Sequence, residues 1–85
     1  MNNGIRPMPA ECQLLGTPGC HLCELAEFEL MPLVEHGLQV ELIDIAEYSP
    51  LFDLYAMHIP VLRRVDTGAE LRWPFDTDQV VAFVR

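Results

Sequence analysis

The chain has 85 residues, with thirteen acidic residues against five arginines and no lysine, and a net charge of −8. About half of the residues are apolar, which is typical of one small globular domain and not of a disordered chain. The negative charge argues against nucleic acid and anionic membranes as partners. No run of eighteen apolar residues and no basic-then-apolar leader is present, so we expect no membrane span and a cytoplasmic location, where thiols stay reduced unless they have a redox role.

The predicted domain follows an N-terminal arm. We expect residues 1–10, which include two prolines, to be flexible, and residues 11–85 to form the domain. An apolar run over residues 11–16 ends at Gly-Thr-Pro-Gly, which is typical of a strand followed by a turn. From Cys20 to about Gly37 the apolar residues recur at helical spacing, which predicts the first helix.

One stripe of this helix is apolar and predicts its buried face. The stripe consists of Cys23, Ala26, Leu30, Leu33 and Val34. Cys20 lies at its margin, and Glu27 interrupts it near one edge. Pro32 should bend the helix, because its nitrogen cannot donate a hydrogen bond to the Phe28 carbonyl.

The rest of the chain predicts three strands and two helices. In chain order they are a strand over residues 38–45, a short helix capped by Ser49, strands over residues 61–65 and 70–73 joined by a hairpin turn, and a last helix. Asp76 and Gln79 are spaced as a capping box for the last helix. The order β-α-β-α-β-β-α predicts an α/β fold, in which three helices flank a four-stranded mixed sheet.

The most informative motif is the pair Cys20 and Cys23 at the start of the first helix. The positive end of the helix dipole stabilises a thiolate there, and two thiols one turn apart can close a disulfide. His21, if protonated, would favour the Cys20 thiolate, although we expect its side chain on the outer face of the helix. Cys12, in the first strand, is expected to be a small buried apolar residue.

This arrangement resembles the thioredoxin-fold family in its smallest, glutaredoxin-type form. The resemblance rests on a strand and turn leading to the cysteine pair, on the element order, on Ile59-Pro60-Val61 before the third strand, and on the aspartate-capped last helix. It covers roughly residues 11–85. More narrowly, the Cys-x-Leu-Cys pair, the Ile-Pro-Val-Leu run and the short length resemble a small bacterial group of glutaredoxin-like proteins of uncharacterised function.

The resemblance implies a thiol–disulfide oxidoreductase. Cys20 would attack a substrate disulfide, and Cys23 would resolve the mixed disulfide by attacking the Cys20 sulfur. Pro60 would be a cis proline that faces the pair, and the backbone at Ile59 would hold an extended substrate. The expected partners are a protein disulfide or glutathione, with the reductase unknown, and we expect a monomer without a bound cofactor.

Glutathione is a candidate reductant or substrate, but the match to glutathione-dependent glutaredoxins is incomplete. Asp76 and Thr77 occupy positions that can receive the amino and carboxylate groups of glutathione. The basic residue shortly before the first cysteine is missing, and Trp73-Pro74 replaces a flexible glycine pair. We therefore expect weak activity with glutathione.

Two other classes of function stay open. In the first, Cys20 and Cys23 are half of a zinc site completed by Cys12 or a histidine, but no second pair with metal-ligand spacing is present. Some glutaredoxins instead share a cluster between two subunits, which uses the first cysteine and glutathione. In the second class, the fold is a redox-inactive binding module with an idle dithiol.

Overall fold

The structure, a computed structural model, describes residues 11–85, so the arm expected over residues 1–10 lies outside the described residues. The elements are β1 (Cys12–Gly16), α1 (His21–Glu35), β2 (Val40–Asp44), a 3₁₀ turn (Ile45–Glu47), α2 (Ser49–Tyr55), β3 (Val61–Arg64), β4 (Glu70–Arg72) and α3 (Thr77–Val84). This is the predicted order with the 3₁₀ turn added. Within the described residues, none of the helices has the length and apolar character needed to cross a membrane.

The four strands form one mixed sheet in the spatial order β2-β1-β3-β4. β1 runs parallel to β2 and antiparallel to β3, and β3 and β4 form the predicted hairpin. Consequently β1 and β2 finish, and β3 starts, at the same end of the sheet, which we call the Gly16 end. The opposite end of the sheet, where β1 begins and β3 finishes, is called the Cys12 end.

Helices cover both faces of the sheet. Leu14 faces α1 and α3, where it packs with Ala26, Leu30 and Val80. Leu15, the next residue along β1, faces the other side and belongs to a second cluster under α2. Successive strand residues point to opposite faces, so one apolar run of β1 supplies both halves of the core.

The ends of several elements differ from the sequence prediction. Ser49 is the first residue of α2 and not its cap, because Tyr48 takes the cap position without a side-chain hydrogen bond. The second strand is shorter than expected, since the chain enters the 3₁₀ turn at Ile45. The predicted capping box of α3, formed by Asp76 and Gln79, is confirmed.

The buried stripe of α1 is also shorter than predicted. Cys23, Ala26 and Leu30 are buried, whereas Val34 is exposed. Leu42, which the alternation of β2 would direct inward, is 60% exposed. β2 is an edge strand, and α1 leaves part of its face uncovered.

Candidate active site

The turn after β1 brings both cysteines of the pair to the Gly16 end. Cys20 is the N-cap residue of α1, and Cys23 lies one turn along the helix. Their Cα atoms are 5.2 Å apart, and the two sulfurs form a disulfide. Cys23 is only 5% exposed, whereas Cys20 is half-buried. Cys20 is therefore the more exposed residue of the pair, in keeping with its place at the margin of the helical stripe.

The helix start supplies a hydrogen bond to the Cys20 sulfur. The backbone N–H of Cys23 donates to Cys20 Sγ at 3.1 Å, so the sulfur takes the place of a capping oxygen. In the reduced protein, the same amide and the positive end of the helix dipole favour the thiolate over the thiol. The arrangement suits Cys20 to act as a nucleophile.

Gly16 allows β1 to pass close to the buried sulfur. A Cβ atom at Gly16 would lie 2.8 Å from Cys23 Sγ, which is too short for a carbon–sulfur contact. A larger residue would displace the Cys23 side chain or the end of β1. In the sequence, Gly16 is recognisable only as the end of a strand, through its Gly-Thr-Pro-Gly context.

Pro60 lies at the same end of the sheet as the cysteine pair. Val61 is opposite Leu15 in the β1–β3 register, so Pro60 comes next to Gly16. The Ile59–Pro60 bond is cis, as the resemblance implied. Pro60 is buried, and Ile59 packs against the cluster under α2.

Trp73 lies beside the Ile59–Pro60 segment and was not expected from the sequence to be a site residue. Its backbone N–H donates to the Pro60 carbonyl at 3.2 Å, and the Trp73–Pro74 bond is also cis. Its ring meets the Phe75 ring edge to face, with centroids 5.1 Å apart. Trp73 thereby links the start of β3 to the segment that precedes α3.

Asp76 and Thr77 lie at the start of α3, and Thr77 contacts the middle of α1. Thr77 donates from its backbone N–H to the Glu29 carboxylate at 2.9 Å and from Oγ1 to the Glu29 carbonyl at 2.9 Å. Asp76 accepts the Gln79 N–H at 2.8 Å. Glu29 follows the first residue of α1 by eight positions, or roughly 12 Å along the helix axis. A ligand at the N–H and Oγ1 of Thr77 would have to replace hydrogen bonds that hold α3 against α1.

His21 is exposed on the outer face of α1, as expected. Its Nδ1 lies 3.9 Å from Glu24 Oε1. The side chain is therefore associated with Glu24 and directed along the helix surface.

Cys12 lies at the opposite end of β1, about 13 Å from Gly16 at the usual rise of a strand. It is 1% exposed, and burial raises the pKa of its thiol, with a further contribution from Glu11. Its distance prevents it from completing a zinc site with the pair. Within residues 11–85, no three His, Cys, Asp or Glu side chains are grouped to hold a metal ion.

The side chain of Arg64 links several segments at the Cys12 end. Its Nη1 donates to the carbonyls of Phe83 and Arg85 at 2.9 and 2.8 Å, which satisfies the end of α3. Its Nε and Nη2 donate to the two oxygens of Asp66 at 2.9 and 2.6 Å, and this pairing lowers the pKa of Asp66. These contacts join β3 to the C-terminus.

Comparison with known proteins identifies the family. The model of the glutaredoxin-like domain (DUF836) matches residues 11–85. The solution structure of protein Ne2328 from Nitrosomonas europaea is 32% identical, with a TM-score of 0.75 over 100% of both chains. The crystal structure of target protein XcR50 from X. campestris is 30% identical, with a TM-score of 0.76 over 86% of this chain and 93% of that chain. The curated proteins contain no match. The chain belongs to the glutaredoxin-like domain family (DUF836) and has a thioredoxin-like fold.

Proposed function

We propose that the protein is a thiol–disulfide oxidoreductase that cycles Cys20 and Cys23 between dithiol and disulfide. The observation that carries this proposal is the asymmetry of the pair. Cys20 is partly exposed and accepts a backbone hydrogen bond at a helix start, while Cys23 is buried one turn behind it. Exchange needs this division, because one sulfur must meet the substrate and the other must wait for the intermediate.

The reaction has two exchange steps. In the first, the Cys20 thiolate attacks a substrate disulfide, forms a mixed disulfide and releases one substrate thiolate, which takes a proton from water. In the second, Cys23 loses its proton to water and attacks the Cys20 sulfur. The second substrate thiolate leaves, and the Cys20–Cys23 disulfide closes. Two electrons pass from the protein to the substrate.

An external thiol closes the cycle. Two thiols of a reductant, or the dithiol of a reductase, return two electrons and two protons to the pair. We propose that the backbone at Ile59 and Pro60 holds the substrate beside Cys20, since this loop shares the Gly16 end with the pair. His21 would modulate Cys20 only indirectly, because its side chain is exposed on the outer face of α1, near Glu24. We propose that the protein works as a cytoplasmic monomer.

Glutathione is expected to be a poor partner. The N–H and Oγ1 of Thr77, one of the two residues matched to glutathione positions, both donate to Glu29, and Asp76 uses one carboxylate oxygen to accept the Gln79 N–H. An electron-source assay decides this point. Oxidised protein is offered either glutathione with its reductase or thioredoxin reductase with NADPH, and the recovered thiols are counted. Rapid reduction by glutathione that is lost in Asp76→Ala and Thr77→Ala would contradict this expectation.

Trapping of a mixed disulfide tests the proposed function. Cys23→Ser should accumulate substrate linked to Cys20, because the resolving sulfur is absent. Cys20→Ser should lose exchange, and Cys12→Ala should retain it as the control. The adducts are identified by mass spectrometry after digestion. Absence of exchange in the unaltered protein would favour a redox-inactive module, and trapping on Cys23 in Cys20→Ser would reverse the roles.

A further inference from the structure

A groove lies on the opposite side of Cys23 from Pro60. β2 lies next to β1 there, and α1 does not cover the end of β2. A space of about 240 Å³ therefore opens beside the buried sulfur of Cys23. Its lining includes Cys23 itself, the apolar side chains of Pro18 and Leu42, and the acidic residues Glu27 and Asp44. The exposure of Leu42 and the interruption of the α1 stripe by Glu27 have this common cause.

The groove combines apolar walls with carboxylates. Glu27 follows Cys23 by four residues, so both lie on the same side of α1. Asp44 is held at the end of β2 because its Oδ1 accepts the Ala46 N–H at 2.9 Å. Within residues 11–85, neither carboxylate forms an ion pair. The site is thus negative and lacks an internal cation.

The charge of the surrounding chain reinforces this negative potential. Residues 11–58, which include α1, β2 and α2, contain nine acidic residues and no lysine or arginine. The four arginines of residues 59–85 are matched by four acidic residues. Arg64 is paired with Asp66 at the Cys12 end, far from the groove. A cationic group is therefore attracted to this side of the disulfide and an anionic one is repelled.

The size of the groove favours a side chain. Its volume is below the roughly 300–1,000 Å³ of a typical small-molecule pocket. A lysine or arginine side chain can lay its aliphatic stem on apolar walls and place its charge at a carboxylate. Leu42 and Pro18 provide such walls, and Glu27 and Asp44 provide the carboxylates.

We propose that this groove binds a lysine or arginine side chain close to the reacting cysteine of a polypeptide disulfide. The protein therefore selects substrates with basic residues beside the disulfide and disfavours anionic ones. This inference rests on the proposed function and names its substrate class.

Matched peptide disulfides test the inference. Three symmetric disulfides of short cysteine peptides are compared, in which the two residues after the cysteine are Arg, Gln or Glu. Reduced protein is mixed with each one, and the second-order rate constant is measured by acid quench and mass spectrometry. Each rate is divided by the rate of the same peptide with dithiothreitol, which removes the intrinsic reactivity of the peptide. We expect the Arg peptide to exceed the Glu peptide about tenfold at low salt and less at high salt.

Charge-neutral variants locate the preference. Glu27→Gln and Asp44→Asn should each reduce the ratio of Arg to Glu rates severalfold. Glu24→Gln is the matched control, because Glu24 makes the same charge change on the same helix but does not line the groove. It should leave the ratio nearly unchanged. If Asp44→Asn fails to fold, the comparison of Glu27→Gln with Glu24→Gln decides alone.

The outcomes separate this inference from the proposed function. Absence of reaction with all three peptides would overturn the proposed function itself. Reaction with all three peptides at similar normalised rates would support the oxidoreductase function and overturn the proposal that the groove binds a basic side chain. An equal loss of preference in Glu24→Gln and Glu27→Gln would also overturn the groove, since it would assign selectivity to the overall charge.

Discussion

The two ends of β1 place cysteine in opposite environments. At the Gly16 end, Cys20 is partly exposed and its sulfur accepts a backbone N–H at a helix start. At the Cys12 end, Cys12 is buried, and its thiol has a raised pKa because burial disfavours the charged form. Hydrogen bonding and solvent, rather than residue type, therefore decide which sulfur is suited to react.

The polar contacts of the two ends follow the same division. At the Cys12 end, the side chain of Arg64 is used in bonds to Asp66 and to the end of α3. Beside the groove at the Gly16 end, the carboxylates of Glu27 and Asp44 have no ion-pair partner within residues 11–85. Arg64 therefore links secondary-structure elements at the Cys12 end, whereas the two carboxylates beside the groove make no ion pair within residues 11–85.

The largest expected difference between the ends is in thiol reactivity. In the reduced protein at neutral pH, Cys20 should react with iodoacetamide on the order of 100-fold faster than Cys12, because burial raises the pKa of the Cys12 thiol. Each unit of pKa changes the thiolate fraction tenfold, and burial further limits access. A time course of peptide alkylation by mass spectrometry measures both rates. Comparable rates would remove the distinction between the ends.

The contact between Gly16 and Cys23 is expected to have the next largest effect. Gly16→Ala should lower the free energy of unfolding by about 1–3 kcal/mol, because the added methyl overpacks the buried sulfur. Gln13→Ala, on the same strand, is the control and should cost less than about 0.5 kcal/mol. Denaturant unfolding of the oxidised proteins measures both. Equal costs would show that β1 does not approach the sulfur so closely.

Arg64 tests whether the Cys12 end is purely structural. Arg64→Gln should destabilise the protein, because it removes bonds to Asp66 and to the carbonyls at the end of α3. Arg72→Gln, a change of the same type on β4, should destabilise it less. Both variants should exchange disulfides at the rate of the unaltered protein. Slower exchange in Arg64→Gln, measured where the variant is folded, would break the division between the ends.

The Arg64–Asp66 pair also predicts a dependence on acid pH. The pKa of Asp66 is lower in the folded protein, because Arg64 donates hydrogen bonds to the carboxylate. Its contribution to stability is therefore present above the unfolded pKa, near 3.9, and is lost as pH falls through the lowered value. Asp66→Asn should show a smaller loss of unfolding free energy over this interval. An unchanged acid profile would contradict the pairing.

Tyr55 gives the smallest effect, at alkaline pH. Its hydroxyl donates to Glu70 Oε2, and this hydrogen bond raises the pKa of the phenol. The contribution to stability is complete below the unfolded pKa of about 10 and is lost as pH rises through the folded value. Tyr55→Phe keeps the ring and should flatten the alkaline decline in unfolding free energy. A decline of the same steepness would exclude this link between α2 and β4.

Much of the fold could be predicted because its strongest signals are local. The periodicity of α1 and the capping box of Asp76 and Gln79 depend on neighbours in the chain, so a single sequence carries them. The edge position of β2 depends on strand order, which alternation does not encode. The alternation of β2 would direct Leu42 inward, yet Leu42 is exposed.

The candidate site could be predicted only where a motif marked it. Cys20, Cys23 and the cis bond before Pro60 were all expected from the motif and the family resemblance. The approach of Gly16 to Cys23 and the bond from Trp73 to Pro60 arise from pairing between distant segments. In the sequence, Glu27 is only a break in the apolar stripe of α1. Its position in the groove depends on β2, which lies beside α1 and is partly uncovered.

Counting thiols across a redox titration tests the central claim most directly. The protein is equilibrated in buffers of graded thiol and disulfide ratio, alkylated, digested and analysed by mass spectrometry. The account predicts that Cys20 and Cys23 change together, as one two-electron couple, while Cys12 stays reduced throughout. A principal disulfide that contains Cys12, or separate titration of Cys20 and Cys23, would contradict it.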